Sequence, residues 1–214
     1  MTRVYVHGLG QTPASWEKTI ALSSGKEQAV CPALEELVRD QDADYETLYR
    51  AFAQKCLLLD GEIDLCGLSL GGVLALNYAI DHPQKVRSLV LIGVQYRMPK
   101  ALLKFQNAVF RLMPESMFGE MGFSKKAFLR LCASMMPLDF SAEVDKISCP
   151  TLIVCGEKDG ANRKASVSLA KAIRQAEFRL VKGAGHEVNQ AAPKELANVL
   201  RTFYAQVRDG APSI

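Results

Sequence analysis

Metal-binding and disulfide signatures are missing from this chain. Its six cysteines, at 31, 56, 66, 132, 149 and 155, form no C-x-x-C pair, and only three histidines accompany them. Zinc and disulfide frameworks therefore lack their usual spacing, and no metal or cofactor is expected. Cys66 and Cys155 fall inside apolar runs and read as small core residues. No stretch approaches the roughly 20 uninterrupted apolar residues that a membrane span needs. The opening MTRVYVHGLG has no charged start followed by a long apolar core, so no secretion signal is read there. Neither charge is in large excess: 26 Lys and Arg against 23 Asp and Glu leave a formal net charge of +3, mixed along the chain. That balance excludes both a basic stripe for nucleic acid and an acidic interaction tail. The expectation is a cytoplasmic protein acting on a small molecule, with no nucleic acid and no membrane span.

The 214 residues, 49% of them hydrophobic, suit one well-packed domain with room for an insertion. Short β-rich runs recur at RVYVHG, QAVC, IDLCG, SLVLIGV, TLIVCG and FRLV, separated by stretches with helical spacing. Nearly continuous apolar runs such as SLVLIGV and TLIVCG predict parallel strands covered on both faces. Helices are expected between Asp44 and Asp60, after Ser69 until Pro83, and over APKELANVLRTFYAQV. Residues 95–147 break the alternation. They contain no convincing strand and read as two or three amphipathic helices interrupted at Pro114 and Pro137. This insertion carries Met113, Met117, Met121, Met135 and Met136, with Met98 just before them. Methionines of this kind suit either helix packing or an adaptable substrate-facing wall. The closing DGAPSI reads as a tail.

One run, CGLSLGG from Cys66 to Gly72, sets Ser69 between Gly67 and Gly71 at the join of a strand and a helix. This is G-x-S-x-G, a sharp turn that exposes a serine oxygen, and residues without a Cβ let its segments pass closely. A serine hydroxyl attacks poorly until a base takes its proton and a carboxylate orients that base. Of the three histidines, His82 ends a helix and His7 sits in a glycine-rich loop. His186, in GAGHEVN, follows the last strand, and Asp159, in TLIVCGEKD, follows the strand before it. Strand carboxyl ends are where open parallel sheets build their sites. Ser69, Asp159 and His186 are thus the expected catalytic residues. The backbone N–H groups of Leu9, in HGLG, and of Leu70 are the expected oxyanion donors. His7 is expected to shape the oxyanion loop and Trp16 to pack a helix on the sheet.

VHGLG, GLSLGG, LIVCGEKD and GAGHEVNQAAPKEL together resemble the oxyanion, elbow, acid and histidine loops of the α/β-hydrolase fold family, particularly its small esterase and lipase-like members. The resemblance spans nearly the whole chain. It implies a three-layer α/β fold, with a core of residues 1–94 and 148–214 and a helical cap at 95–147. It departs from the family at the start, where the chain opens directly on RVYVHG, so a mostly parallel sheet of about six strands in the order 2-1-3-4-5-6 is expected. The implied activity is that of a serine hydrolase of carboxylesterase type, cleaving esters of small or medium acyl groups through an acyl-enzyme on Ser69. C–C bond hydrolysis or synthesis with the same triad, thioester hydrolysis, and non-catalytic ligand reception are the alternatives. The C–C reading would want Arg97, Arg111 or Arg130 facing the pocket.

Overall fold

Each of the six apolar runs becomes a strand: β1 (Thr2–Val6), β2 (Gln28–Val30), β3 (Ile63–Leu68), β4 (Val86–Ile92), β5 (Thr151–Gly156) and β6 (Ala176–Val181). The structure, a computed structural model, describes residues 1–23, 25, 27–38, 43–119 and 123–210. Met121 and the tail beyond Gly210 lie outside the described residues. The strands join in one sheet in the expected order, β2-β1-β3-β4-β5-β6. Every pairing is parallel, which sharpens the expectation of a mostly parallel sheet.

Successive side chains of a strand point to opposite faces, and here both faces are buried. Val4, Leu65, Leu89 and Ile153 enter one apolar cluster, whereas Tyr5, Cys66, Val90 and Leu152 enter the other. The first cluster is closed by α2 (Tyr45–Leu57), α3 (Leu70–Asp81) and α7 (Gly160–Ala172), through residues such as Phe52, Leu74 and Leu169. Over the second lie Trp16 and the α9 (Pro193–Asp209) residues Leu196, Leu200 and Phe203. The α1 helix (Glu17–Ser23) lies along α9, which the short α8 (Val188–Ala191) precedes. Trp16 is fully buried and tilts against Tyr5 of β1 with ring centroids 5.2 Å apart, the expected packing against the sheet. Burial on two sides explains why these strands read as continuous apolar runs.

Asp64 is the exception inside such a run. It is fully buried in β3, and Arg87 of the adjoining β4 donates to both of its carboxylate oxygens, at 2.9 and 2.6 Å, while Ser88 Oγ donates at 2.6 Å. A buried charge is tolerable only when it is paired and hydrogen-bonded in this way.

Between β4 and β5 lie α4 (Lys100–Leu112), α5 (Ser116–Gly119) and α6 (Lys125–Met135). The break at Pro114 falls where proline disfavours helix in the residue before it, Met113 turning to extended backbone with ψ 144°, whereas Met136, ahead of Pro137, keeps helical backbone at φ −56° and ψ −33° as α6 ends. Phe118, Phe128, Leu131 and Met135 of this segment join the same buried cluster as α2 and α3. An isolated antiparallel bridge, Arg97 to Asp139, ties its two ends. No helix of the described residues is long and apolar enough to cross a membrane, and all six cysteines are free thiols.

Candidate active site

Ser69 sits between β3 and α3 at φ 54° and ψ −119°, the one positive φ among the described non-glycine residues. A side chain held there costs on the order of 1–3 kcal/mol, a strain that persists only where its surroundings impose it. They do so here: Ser69 N–H donates to the Ile92 carbonyl at 2.9 Å, and the Ser69 carbonyl accepts from Val73 at 2.9 Å as α3 begins. The flanking glycines are sterically required. A Cβ on Gly67 would overlap the Gly71 carbonyl oxygen, and one on Gly71 would overlap that of Val6.

His186 follows β6 and Asp159 follows β5, and the two meet. The imidazole Nδ1 lies 2.7 Å from Asp159 Oδ2. Against an ionised carboxylate, which only accepts, Nδ1 carries the proton, so Nε2 is the nitrogen left to take one. The Asp159 side chain is 5% exposed and that of His186 40%, so the acid is sheltered and the imidazole reaches solvent. Burial acts to raise the Asp159 carboxyl, but donation from His186 and Asn162 outweighs it and holds the group below the usual carboxylate range. Asp159 also caps α7, accepting from Asn162 N–H at 3.3 Å.

Ser69, Asp159 and His186 line one cavity of about 310 Å³, together with Leu70 and Gly93. Its walls are apolar through Val73, Met98, Leu103 and Met135, with Gln95, Gln106 and Asn162 as polar points. Among the described residues, Met98 and Met135 are thus the methionines that face the cavity. Met113 and Met136 do not line it, and Met117 stands on the surface, 46% exposed. Leu70, first residue of α3, has its N–H at a helix N-terminus, where a developing negative charge is favoured. Leu9 does not line the cavity, although its loop abuts the elbow: a Cβ on Gly8 would lie 3.4 Å from Ser69 Cβ. Among the described residues, neither the Leu9 nor the Leu70 N–H is taken by another backbone carbonyl.

His7 organises that loop. It is fully buried, its Nδ1 donates to the Gly8 carbonyl at 2.9 Å, and its Nε2 accepts from Leu34 N–H at 3.1 Å. Both bonds suit the neutral ring, and burial pushes its titration below the usual histidine range. His82 caps the end of α3, as expected, and its ring packs on Tyr78 with centroids 4.6 Å apart. Arg97, Arg111 and Arg130 do not line the cavity, and Arg97 and Arg130 face Asp139 and Asp44 at 3.2 and 3.6 Å. Among the described residues no group of three His, Cys, Asp or Glu side chains is placed to hold a metal ion.

Three cavity residues escape a reading of the sequence. Gly93 closes β4 and lies against His186, where a Cβ would stand 3.0 Å from Nδ1; its place at a strand carboxyl end was the available signal. Asn162 is three residues past Asp159, the spacing of a helix cap. Gln95 carries no local signal.

A serine on a strained strand-to-helix turn, sharing a cavity with a histidine–carboxylate pair at the carboxyl edge of a parallel sheet, defines the α/β-hydrolase class. The family model described as the alpha/beta hydrolase family matches residues 4–199, and the chain belongs to that family. Among curated proteins it is similar to monoacylglycerol lipase ABHD6 of Homo sapiens, with 27% identity over an alignment covering 72% of this chain and 58% of that protein. The chain thus spans little more than half the length of that relative. Among solved structures, an esterase from Thermogutta terrifontis superposes with a TM-score of 0.74 at 20% identity, covering 97% of this chain and 90% of the other. An enol-lactonase from Burkholderia xenovorans superposes with a TM-score of 0.80 at 16% identity, covering 95% and 91%.

Proposed function

We propose that this protein is a serine hydrolase that cleaves carboxylic esters of small or medium acyl groups. The observation that carries the reading is the strained Ser69 opening into the same cavity as the His186–Asp159 pair. Ser69 Oγ attacks the ester carbonyl while His186 Nε2 takes its proton, and Asp159 holds the ring through Nδ1. The Leu70 and Leu9 N–H groups stabilise the oxyanion. His186 then returns the proton to the departing alcohol, leaving an acyl-enzyme on Ser69 that water hydrolyses by the same route. Residues 1–94 and 148–214 form the hydrolase core, and 95–147 a cap that lends Met98, Leu103 and Met135 to the acyl wall. The ester-hydrolysing relatives support this chemistry, and an apolar cavity without a lining arginine favours it over carboxylate-directed C–C chemistry. Six free thiols accord with a cytoplasmic site of action.

The test is hydrolysis of p-nitrophenyl butyrate by the wild type, Ser69→Ala and Asp159→Asn. Asparagine keeps an N-cap acceptor for α7 but leaves the histidine tautomer unspecified. Both variants are expected to lose at least about a thousandfold in kcat with little change in melting temperature. Undiminished hydrolysis by Ser69→Ala would overturn the assignment.

A further inference from the structure

Asn162 is held on two sides. Its Nδ2 lies 2.9 Å from both Asp159 Oδ1 and Oδ2 and 3.1 Å from His186 Nδ1, while its Oδ1 accepts from Gln95 Nε2 at 2.9 Å. Gln95 Nε2 also donates to the Ala161 carbonyl at 3.1 Å. The order is dictated chemically: a carboxylate only accepts, so the amino end of Asn162 faces Asp159 and its oxygen is left for the Gln95 amide. Capping of α7 requires only the Asn162 backbone N–H, not this side chain.

From this relay we infer that Asn162 is a positioning residue for the acid of the triad, oriented by Gln95 at the stem of the 95–147 segment. The inference rests on the serine-hydrolase reading. Asn162 shares the Asp159 carboxylate with His186 and thereby fixes its rotation and moderates its pull on the imidazole proton. The ionisable groups about the carboxylate are His186 and the Cys155 thiol, whose Sγ lies 3.7 Å from the Asp159 carbonyl oxygen. That thiol is pushed upward by burial and by the Asp159 charge, against lowering influences of Ser166 and Arg163 on α7. Without Asn162, burial of the Asp159 carboxyl is less opposed and the carboxylate becomes a stronger acceptor for the imidazole. The imidazolium formed in the first step is then better stabilised, and the acid limb of kcat/KM moves to higher pH.

Asn162→Leu, Gln95→Leu and Gln95→Glu test this, with the pH dependence of kcat/KM on p-nitrophenyl butyrate as the readout. Asn162 and Gln95 are half-buried, so the variants are expected to fold. Asn162→Leu should move the acid limb up by about half a pH unit or more, the scale of one hydrogen bond to a charged group. Gln95→Glu supplies a carboxylate that takes the amino end of Asn162 away from Asp159, so it should lower kcat more than Gln95→Leu does. An unmoved acid limb in Asn162→Leu, or equal effects of the two Gln95 variants, would overturn the inference while leaving the hydrolase reading intact. A wild type inactive on every ester and unlabelled by a fluorophosphonate would instead overturn both.

Discussion

Gly156 and Gly185 approach so closely that a Cβ on Gly156 would overlap the Gly185 carbonyl oxygen. Gly156 ends β5 three residues before Asp159, and Gly185 immediately precedes His186. Two backbone bonds flank the contact, Glu157 N–H to the Val181 carbonyl and Lys158 N–H to that of Ala184, both 2.9 Å. The acid and histidine loops are thus clamped by main chain. Gly156→Ala, which must push backbone aside, is expected to lose at least about a hundredfold in kcat, since displacement of about 1 Å costs that much in a positioned site. Kinetics alongside a thermal melt check this, and near-normal activity would contradict the clamp.

Strain at Ser69 sets a second expectation. Glycine adopts positive φ freely, whereas alanine bears the same penalty as serine. Ser69→Gly should therefore be more stable than Ser69→Ala by about 1 kcal/mol or more, with both inactive. Denaturant melts of the pair measure it, and equal midpoints would show that the turn is relaxed.

Much of this architecture is legible because each signal is local. The central strands β1, β3, β4 and β5 announce themselves through runs buried on both faces, the partly exposed edge strands β2 and β6 through short β-rich runs, and Ser69, Asp159 and His186 lie within five residues of the ends of β3, β5 and β6. Tertiary features leave no such trace. Asp64 hides within IDLCG because Arg87 and Ser88, which neutralise it, belong to the neighbouring strand. Gln95 lies 67 residues from Asn162 in sequence, so the relay to Asp159 exists only once β4 and β5 are adjacent.

Acid should destabilise the fold through His7. Its folded-state titration is lowered by burial, and protonation of Nε2 would oppose the bond from Leu34. The unfolded chain therefore binds the proton first. Stability from this group is complete above about pH 6.5 and declines as pH falls below it. The melting temperature should drop from pH 7.5 to 5.5, and the drop should be smaller in His7→Asn. Parallel slopes would place the acid sensitivity elsewhere.

Acyl preference should follow from the cavity of about 310 Å³ walled by Val73, Met98, Leu103 and Met135. Each methylene gains about 0.8 kcal/mol, or roughly fourfold in kcat/KM, only while it is being buried. Across p-nitrophenyl esters, kcat/KM is expected to rise through acetate and butyrate and to level off or fall at about six to eight carbons. A profile that climbs steadily to palmitate would mean that the cavity opens into a long channel.

Whether Ser69 is an activated nucleophile is tested most directly by a fluorophosphonate probe, followed by mass spectrometry of the labelled peptide. A hydroxyl paired with a base attacks the phosphorus, whereas an ordinary surface serine does not. The expected result is a single adduct on Ser69, absent from Ser69→Ala and strongly slowed in Asp159→Asn. No labelling of the folded wild type, or an adduct on any other residue, would contradict the catalytic assignment.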